Sequence, residues 1–290
     1  AKGDMGDVSR NGGNRASGAF VPAFGNEVSA LRLGRSLHGL ACRCRPYLLL
    51  FALLGLWQWA STVVLDDSER LLLPPPTAVL KAGWELTISG ELVRHAWDSL
   101  RREMVAFSWA TVAIPVGIAM AWWRPVEEQL GTILELLRPI PPLAWIPLSM
   151  LWLGIGDTQN QFIIFLGMVF PILVNTVSSV KQIDPVLIRA ARSLGASELK
   201  VLLRIVVHAA LPQIVTGIRI GLGVGWMALV AAELVGATSG LGFLINDART
   251  VLRTDYIIVG MAAIGVIGLL LDALIRVAMA KMMPWYQGAK

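Results

Sequence analysis

The stretch KQIDPVLIRAARSLGASELKVLLRIVVHAALP, residues 181–212, decides the fold. It lies between two long apolar runs and is the only long polar, cation-bearing insert in the second half of the chain. Asp184 before Pro185 predicts a helix start, because the carboxylate can cap free N–H groups and a proline at N1 loses no hydrogen bond. Gly195 predicts the end of that helix, since glycine tolerates positive φ. Ser197 then predicts the N-cap of a second helix.

The composition places the chain in the membrane. Of its 290 residues, 55% are apolar and 16% are charged, with a mean hydropathy of +0.63. Soluble domains have roughly 45–50% apolar and about 25% charged residues. The net charge of +5 comes from dispersed cations with no aromatic residues interleaved, so we expect the lipid bilayer and no nucleic acid as a partner.

Six apolar runs are each close to the roughly 20 residues that a spanning helix needs. The sequence therefore predicts an all-α integral membrane protein with spans at Tyr47–Leu65, Met104–Trp123, Pro139–Gly156, Gln161–Val180, Ile205–Ala232 and Tyr256–Ala280. The third run contains four prolines, which bend or break a helix. Such breaks survive in lipid where protein or water satisfies the backbone, so we expect this run to face the bundle interior.

The polar segments predict the remaining organisation. Residues 1–46 are rich in Gly and Ser and predict a disordered, basic cytosolic tail, which leaves 47–290 as the membrane domain. Residues 78–102 predict an amphipathic segment at the outer interface. With the N-terminus inside, sixteen of the 25 Lys and Arg fall in inner segments and seven in outer ones. The positive-inside rule therefore predicts that both termini and the loop 181–204 are cytosolic.

The loop between these apolar runs resembles a loop of a known protein family. Arg189-Ala190-Ala191, then Gly195, then Ala210-Leu211-Pro212 resembles the EAA cytoplasmic loop of ABC importer permeases. The resemblance implies that the loop 181–204, called the coupling loop below, docks in a groove of an ATPase subunit. The residues implied in coupling are Arg189, Ala190, Ala191, Arg192, Leu194, Gly195, Ala196 and Ser197.

The loop departs from the family pattern at two places. Arg189 stands where the family usually has Glu, and Val207-His208 stands where many members have Leu-Pro. The resemblance therefore does not predict which charge contact Arg189 makes with an ATPase subunit, or how the helix after the loop begins. An ordinary basic cytosolic loop is the alternative interpretation.

Other segments extend the resemblance along most of the chain. LLRPIPPLAWIPL (136–148) and LWLGIGDT (151–158) resemble the taurine, sulfonate, nitrate and bicarbonate branch of these permeases, and MMPWYQG (282–288) is most similar to the taurine permeases of that branch. The resemblance implies a type I importer bundle in which two copies enclose one path, with two ABC ATPase subunits and an external substrate-binding protein. It implies that the outer loop around Gly240–Gly242 receives that protein. Taurine or a related alkanesulfonate is the expected substrate, with nitrate, bicarbonate or another small organic anion as the alternative.

The chain has no G-x-x-x-x-G-K-[ST] motif, so we expect ATP hydrolysis in a partner subunit and no enzyme activity here. Three scattered histidines and two cysteines, Cys42 and Cys44, predict no metal site, and we expect no cofactor. A stand-alone secondary transporter is a rival, but it would often carry inverted repeats, and none is evident. A membrane enzyme is a second rival, but it would need a cluster of catalytic groups.

Ionisable residues inside a span are expensive and should be paired or line a polar path. We predict that Arg219 pairs with Asp272; alternatively, Arg219 attracts the anionic head of the substrate. Glu233 either faces the path or bonds to a backbone N–H in the loop between Gly236 and Gly242. The candidate path residues are Ser149, Asn175, Thr176, Trp226, Met227 and Glu233.

Overall fold

The computed structural model describes residues 48–282. The chain divides into two units, Ala1–Leu56 and Trp57–Lys290. The described part of the first unit, residues 48–56, is helical and begins helix α1 (Leu48–Val64). The predicted tail 1–46 lies outside the described residues, as does most of the segment 282–288.

Every regular element within residues 48–282 is a helix, as the sequence predicts. After α1 the helices are α2 (Asp67–Leu72), α3 (Pro76–Ile88), α4 (Glu91–Ala110), α5 (Ala113–Trp122), α6 (Arg124–Leu137), α7 (Ile146–Leu153), α8 (Asp157–Lys181), α9 (Pro185–Ser193), α10 (Glu198–Val201), α11 (Val207–Gly236), α12 (Leu241–Thr250) and α13 (Thr254–Met282). One 3₁₀ turn, Pro142–Trp145, precedes α7, and a π-helical turn, Leu202–Val206, joins α10 to α11.

Four continuous segments are long and apolar enough to cross a membrane. They are Glu91–Trp122, Asp157–Lys181, Glu198–Gly236 and Thr254–Lys281. A fifth span is present if α6 and the Pro142–Leu153 segment, which meet at 84°, cross together. The apolar helix α1 has 17 residues or fewer. The sixth span therefore stays a prediction.

Helices α8 and α11 form the centre of the bundle because small residues let them approach closely. A Cβ added at Gly217 would lie 2.6 Å from Asn175 Cβ, and one at Gly221 would lie 2.8 Å from Ile172 Cγ1. At Gly225 it would lie 2.4 Å from Met168 Cε. These glycines recur every four residues and so form one face of α11, as at many helix contacts in membranes.

The predicted second span, Met104–Trp123, is too short. The prediction of one amphipathic interfacial segment over residues 78–102 is wrong. Gly90, with φ of 77°, separates α3 from α4. Helices α4 and α5 together form the membrane-spanning segment Glu91–Trp122. Arg102 and Glu103 are buried in this span rather than lying at the interface. Pro115 cannot donate to the carbonyl of Thr111, and the helix breaks at residues 111–112.

The predicted third span is also not one helix. Pro139 and Pro141 fall between α6 and the 3₁₀ turn, and Pro142 begins that turn, because each proline lacks a backbone donor and disfavours a helical residue before it. The first half of this bent segment is the amphipathic helix α6, which hydropathy alone did not predict. The chain therefore turns sharply at residues 138–141.

Candidate functional site

The coupling loop has the predicted helix–turn–helix form. Asp184 Oδ1 accepts a hydrogen bond of 2.8 Å from the Val186 N–H and so caps α9. Gly195 has φ of 81°. The Gly195 N–H donates to the Arg192 carbonyl, and the Ala196 N–H donates to the Ala191 carbonyl. This pair of bonds is a Schellman motif, in which glycine provides the left-handed residue that ends the helix.

The two neighbouring alanines of the loop lie in different environments. Ala191 is only 8% exposed and packs in an apolar cluster with Val201, Val206 and Ile214. Ala190 is exposed. Ala190 and Ala191 therefore do not form one exposed face of α9, because successive helical residues are rotated by about 100°.

The outward face of α9 carries exposed apolar side chains. Val186, Leu187, Ala190 and Leu194 recur at helical spacing, and Leu194 is 88% exposed. Isolated exposed apolar residues are ordinary, but a stripe on a polar loop marks an interaction surface. We call these four residues the α9 face.

An ion pair that was not predicted from the sequence joins the two helices on either side of this turn. Arg192 Nε lies 2.8 Å from Glu198 Oε1, and this contact raises the pKa of the Arg192 guanidinium. Ser197 occupies the N-cap position of α10, but its side chain makes no capping hydrogen bond. The predicted side-chain cap is therefore absent, and the arginine and glutamate link the two helices instead. Arg189 is exposed.

A buried charge network lies at the opposite end of the bundle. Arg102 Nη1 donates to Glu233 Oε1 at 2.7 Å, and Arg102 Nε donates to Asp157 Oδ1 at 2.7 Å. The guanidinium also donates to the Ser239 carbonyl and hydroxyl oxygens at 2.7 and 2.8 Å. One arginine of α4 therefore joins α8, α11 and the loop before α12.

The same face of α4 holds the backbone of this loop. His95 Nδ1 accepts from the Gly240 N–H at 3.0 Å, and Ser99 Oγ accepts from the Leu241 N–H at 2.9 Å. Glu233 Oε2 accepts from the Gly242 N–H at 2.9 Å. The structure thus brings Glu233 to a loop N–H, one of the two predicted alternatives.

Sequence reasoning missed the two buried charges on α4, Arg102 and Glu103, because hydropathy placed them before the span. Glu103 is fully buried beside Gly225, and neither carboxyl oxygen has a hydrogen-bond partner among the described residues. The helical spacing of His95, Ser99 and Arg102 on one face was the available signal, since a polar stripe on a spanning helix faces protein.

The predicted intramembrane pair is present in the structure. Arg219 Nε lies 2.6 Å from Asp272 Oδ1, and Arg276 lies 3.1 Å from the other carboxyl oxygen. Both Arg219 and Asp272 line an apolar cavity of about 460 Å³ between α4, α11 and α13.

The candidate path residues do not share one surface. Ser149, Thr176 and Glu233 are buried, and the Ser149 and Thr176 hydroxyls donate to carbonyls of their own helices. Trp226 is also buried and donates to the Ile264 carbonyl, which indicates packing. Asn175 is half-buried and borders a groove, whereas Met227 is 77% exposed.

Comparison with known proteins identifies this arrangement. Residues 113–286 match the family described as "Binding-protein-dependent transport system inner membrane component". The taurine transport system permease protein TauC of Escherichia coli K12 is 43% identical over 234 residues, covering 79% of this chain and 85% of that protein. The chain belongs to this permease family. The nitrate import permease protein NrtB of a Synechocystis strain is 34% identical over 241 residues, covering 80% of this chain and 86% of that protein.

A solved structure shows the same permease fold. A chain of the MetNI methionine ABC transporter, in inward-facing conformations, superposes with a TM-score of 0.56 at 24% identity. The match covers 67% of this chain and 94% of that chain. The chain is therefore a multi-pass membrane permease of the ABC importer type.

Proposed function

We propose that this permease is the membrane subunit of an ATP-driven importer for taurine or a related alkanesulfonate. The observation that carries the substrate class is the 43% identity to a taurine permease over most of both chains. Nitrate, bicarbonate or another small anion is the alternative, favoured by the relative that imports nitrate.

In this proposal the α9 face docks in a groove of an ABC ATPase subunit. Its four residues present a short apolar ridge, and Leu194 projects furthest into solvent. The Schellman turn at Gly195 and the Arg192–Glu198 pair make the loop stiff. A stiff loop transmits movement of the ATPase subunit to α10 and α11 without folding back.

Two copies of the permease enclose one path, two ATPase subunits bind their coupling loops, and an external binding protein delivers the substrate. Both termini and the coupling loop face the cytosol, as the distribution of Lys and Arg favours. ATP-driven closure of the ATPase subunits then alternates the access of the path between the two sides.

The test is reconstitution of the permease with its cognate ATPase and binding protein in proteoliposomes. We expect ATP-dependent accumulation of radiolabelled taurine that needs all three components. Accumulation of nitrate or bicarbonate but not of taurine would favour the alternative substrates. Uptake without the ATPase subunit would contradict the proposal.

A further inference from the structure

Within residues 48–282, the side chain of one cation at the sharp turn between α6 and α7 has no ion-pair or hydrogen-bond partner. Arg138 is exposed, and no ion pair or hydrogen bond links its guanidinium to another residue within 48–282. By contrast, Arg102 and Arg219 are paired with carboxylates. If α6 and the Pro142–Leu153 segment cross the membrane together, Arg138 lies inside that bent span, and an unpaired charge inside a span is expected to line a polar path.

Arg138 borders two cavities. The first, which we call the proline groove, has about 350 Å³ and is lined by Arg138, Pro141, Pro142, Phe170, Asn175 and Ile220, among others. The second, the Lys181 cavity, has about 380 Å³ and includes Arg138, Phe170, Ser178, Lys181 and Gln182. Arg138, Phe170 and Val174 belong to both linings, so they mark the junction of the two spaces.

The depth of this junction follows from α8. Asn175 precedes the last residue of that helix, Lys181, by six positions, or roughly 9 Å at 1.5 Å per residue. Lys181 is paired with Glu127 at that end of the bundle. Two carboxylates, Glu127 and Glu135, line the Lys181 cavity, and neither lines the proline groove. The groove side of the junction therefore presents a cation and an amide with no carboxylate among its lining residues.

We infer that Arg138 binds the anionic head of the substrate where the proline groove opens into the Lys181 cavity. The inference rests on the proposed function and extends it to a specificity-determining residue. A guanidinium presents a planar fork of N–H donors that matches the oxygens of a sulfonate. The amide of Asn175 can donate to the same group, although its Nδ2 now donates to the Pro171 carbonyl. The prolines prevent a helix from forming at this turn, which keeps the Arg138 side chain at the junction.

The first test measures the sign of the potential in the groove and does not depend on transport. The variant Asn175→Cys, with Cys42 and Cys44 replaced by Ser, is reconstituted in phosphatidylcholine vesicles. It is treated with sulfonatoethyl methanethiosulfonate, which carries an ethanesulfonate group, or with the cationic trimethylammonium analogue. We expect the anionic reagent to be favoured, and Arg138→Gln to lower the anion-to-cation rate ratio by at least about fivefold. An unchanged ratio overturns the inference.

The matched control is Arg124→Gln, which removes a charge from the same helix. Arg124 is 87% exposed at its side chain and belongs to neither cavity lining. We expect this variant to leave the ratio unchanged. If it lowers the ratio as much as Arg138→Gln does, the effect is net charge and not a site.

A lipid phosphate could supply the same oxyanion chemistry as a free substrate. The measurement is therefore repeated in vesicles that contain phosphatidylglycerol. A preference that persists supports a free anion, whereas one that disappears assigns Arg138 to lipid and overturns the inference.

The second test is uptake by the reconstituted importer. We expect Arg138→Gln to raise the KM about tenfold or more for whichever anion the importer carries, with Arg138→Lys in between. An Arg138→Gln variant with the KM of the unmodified chain overturns the inference. If the importer carries nitrate and not taurine, the proposed substrate fails while the thiol measurement still reports on Arg138.

Discussion

Arg102 of α4 and Glu233 of α11 form an ion pair with 2.7 Å between Nη1 and Oε1, although 131 residues separate them in the chain. The exposed fraction is 2% for the arginine side chain and zero for the glutamate side chain. The pair fixes the loop from Ser239 to Gly242 to the core of the bundle. It is a buried polar link between two spans and the loop before α12.

Breaking this pair is expected to destabilise the permease strongly. Arg102→Met leaves a buried carboxylate without its counter-ion, which costs about 3–5 kcal/mol. Arg124→Ala, which breaks an exposed pair with Glu128, should cost no more than about 0.5 kcal/mol. Equilibrium unfolding in detergent measures both. Equal stability of the two variants would contradict the role assigned to Arg102.

Substitution of a second buried carboxyl, that of Glu103, is expected to have the opposite effect on stability. Glu103 has no hydrogen-bond partner for either oxygen among the described side chains, so Glu103→Gln removes a buried acid at constant volume. We expect unchanged or higher stability, because the Glu103 carboxyl has no hydrogen bond to lose among the described residues. Glu233→Gln, by comparison, should lower stability by about 1–3 kcal/mol. The same unfolding assay compares the two, and a loss for Glu103→Gln as large as for Glu233→Gln would be contrary evidence.

The loop that Glu233 holds depends on one glycine. Gly240 has φ of 111°, and an added Cβ would lie 2.3 Å from Glu233 Oε1. Gly240→Ala should therefore lower the unfolding midpoint and the yield of folded protein. Gly223→Ala meets no atom within 4 Å and has no positive φ, so it should be neutral or slightly stabilising. Thermal unfolding in detergent distinguishes them, and a wild-type midpoint for Gly240→Ala would refute the contact.

Much of this architecture could be predicted from the sequence, and the exceptions have physical causes. Hydropathy located α8, α11 and α13 because their apolar runs are continuous. It failed at Arg102 and Glu103, since these two charges lowered the window average, although the partners of Arg102 in other helices make its burial possible. It also failed at Pro139–Gly156, where prolines in an apolar run fold as a turn between two helices. The direction of Ala191 depends on helical rotation, which a short motif does not encode.

The α9 face gives a prediction about assembly. Leu194→Asp places a charge at the most exposed point of this face and should abolish co-purification of the ATPase subunit without lowering the stability of the permease. Val251→Asp is a control, since that residue is 63% exposed at the end of α12, near the other end of the bundle. Pull-down with the tagged ATPase subunit measures both. Retained binding by Leu194→Asp would show that this face does not dock.

The most direct test of the central claim is ATP-driven uptake by Gly195→Val in proteoliposomes that contain the ATPase and the binding protein. Valine is strained at φ of 81°, so the turn after α9 should distort and uptake should fall about tenfold, while the permease stays inserted. Gly265→Val, at an exposed helical site with no atom within 4 Å of the added Cβ, should retain uptake. Uptake by Gly195→Val at the wild-type rate would contradict the account in which this loop transmits the work of ATP hydrolysis.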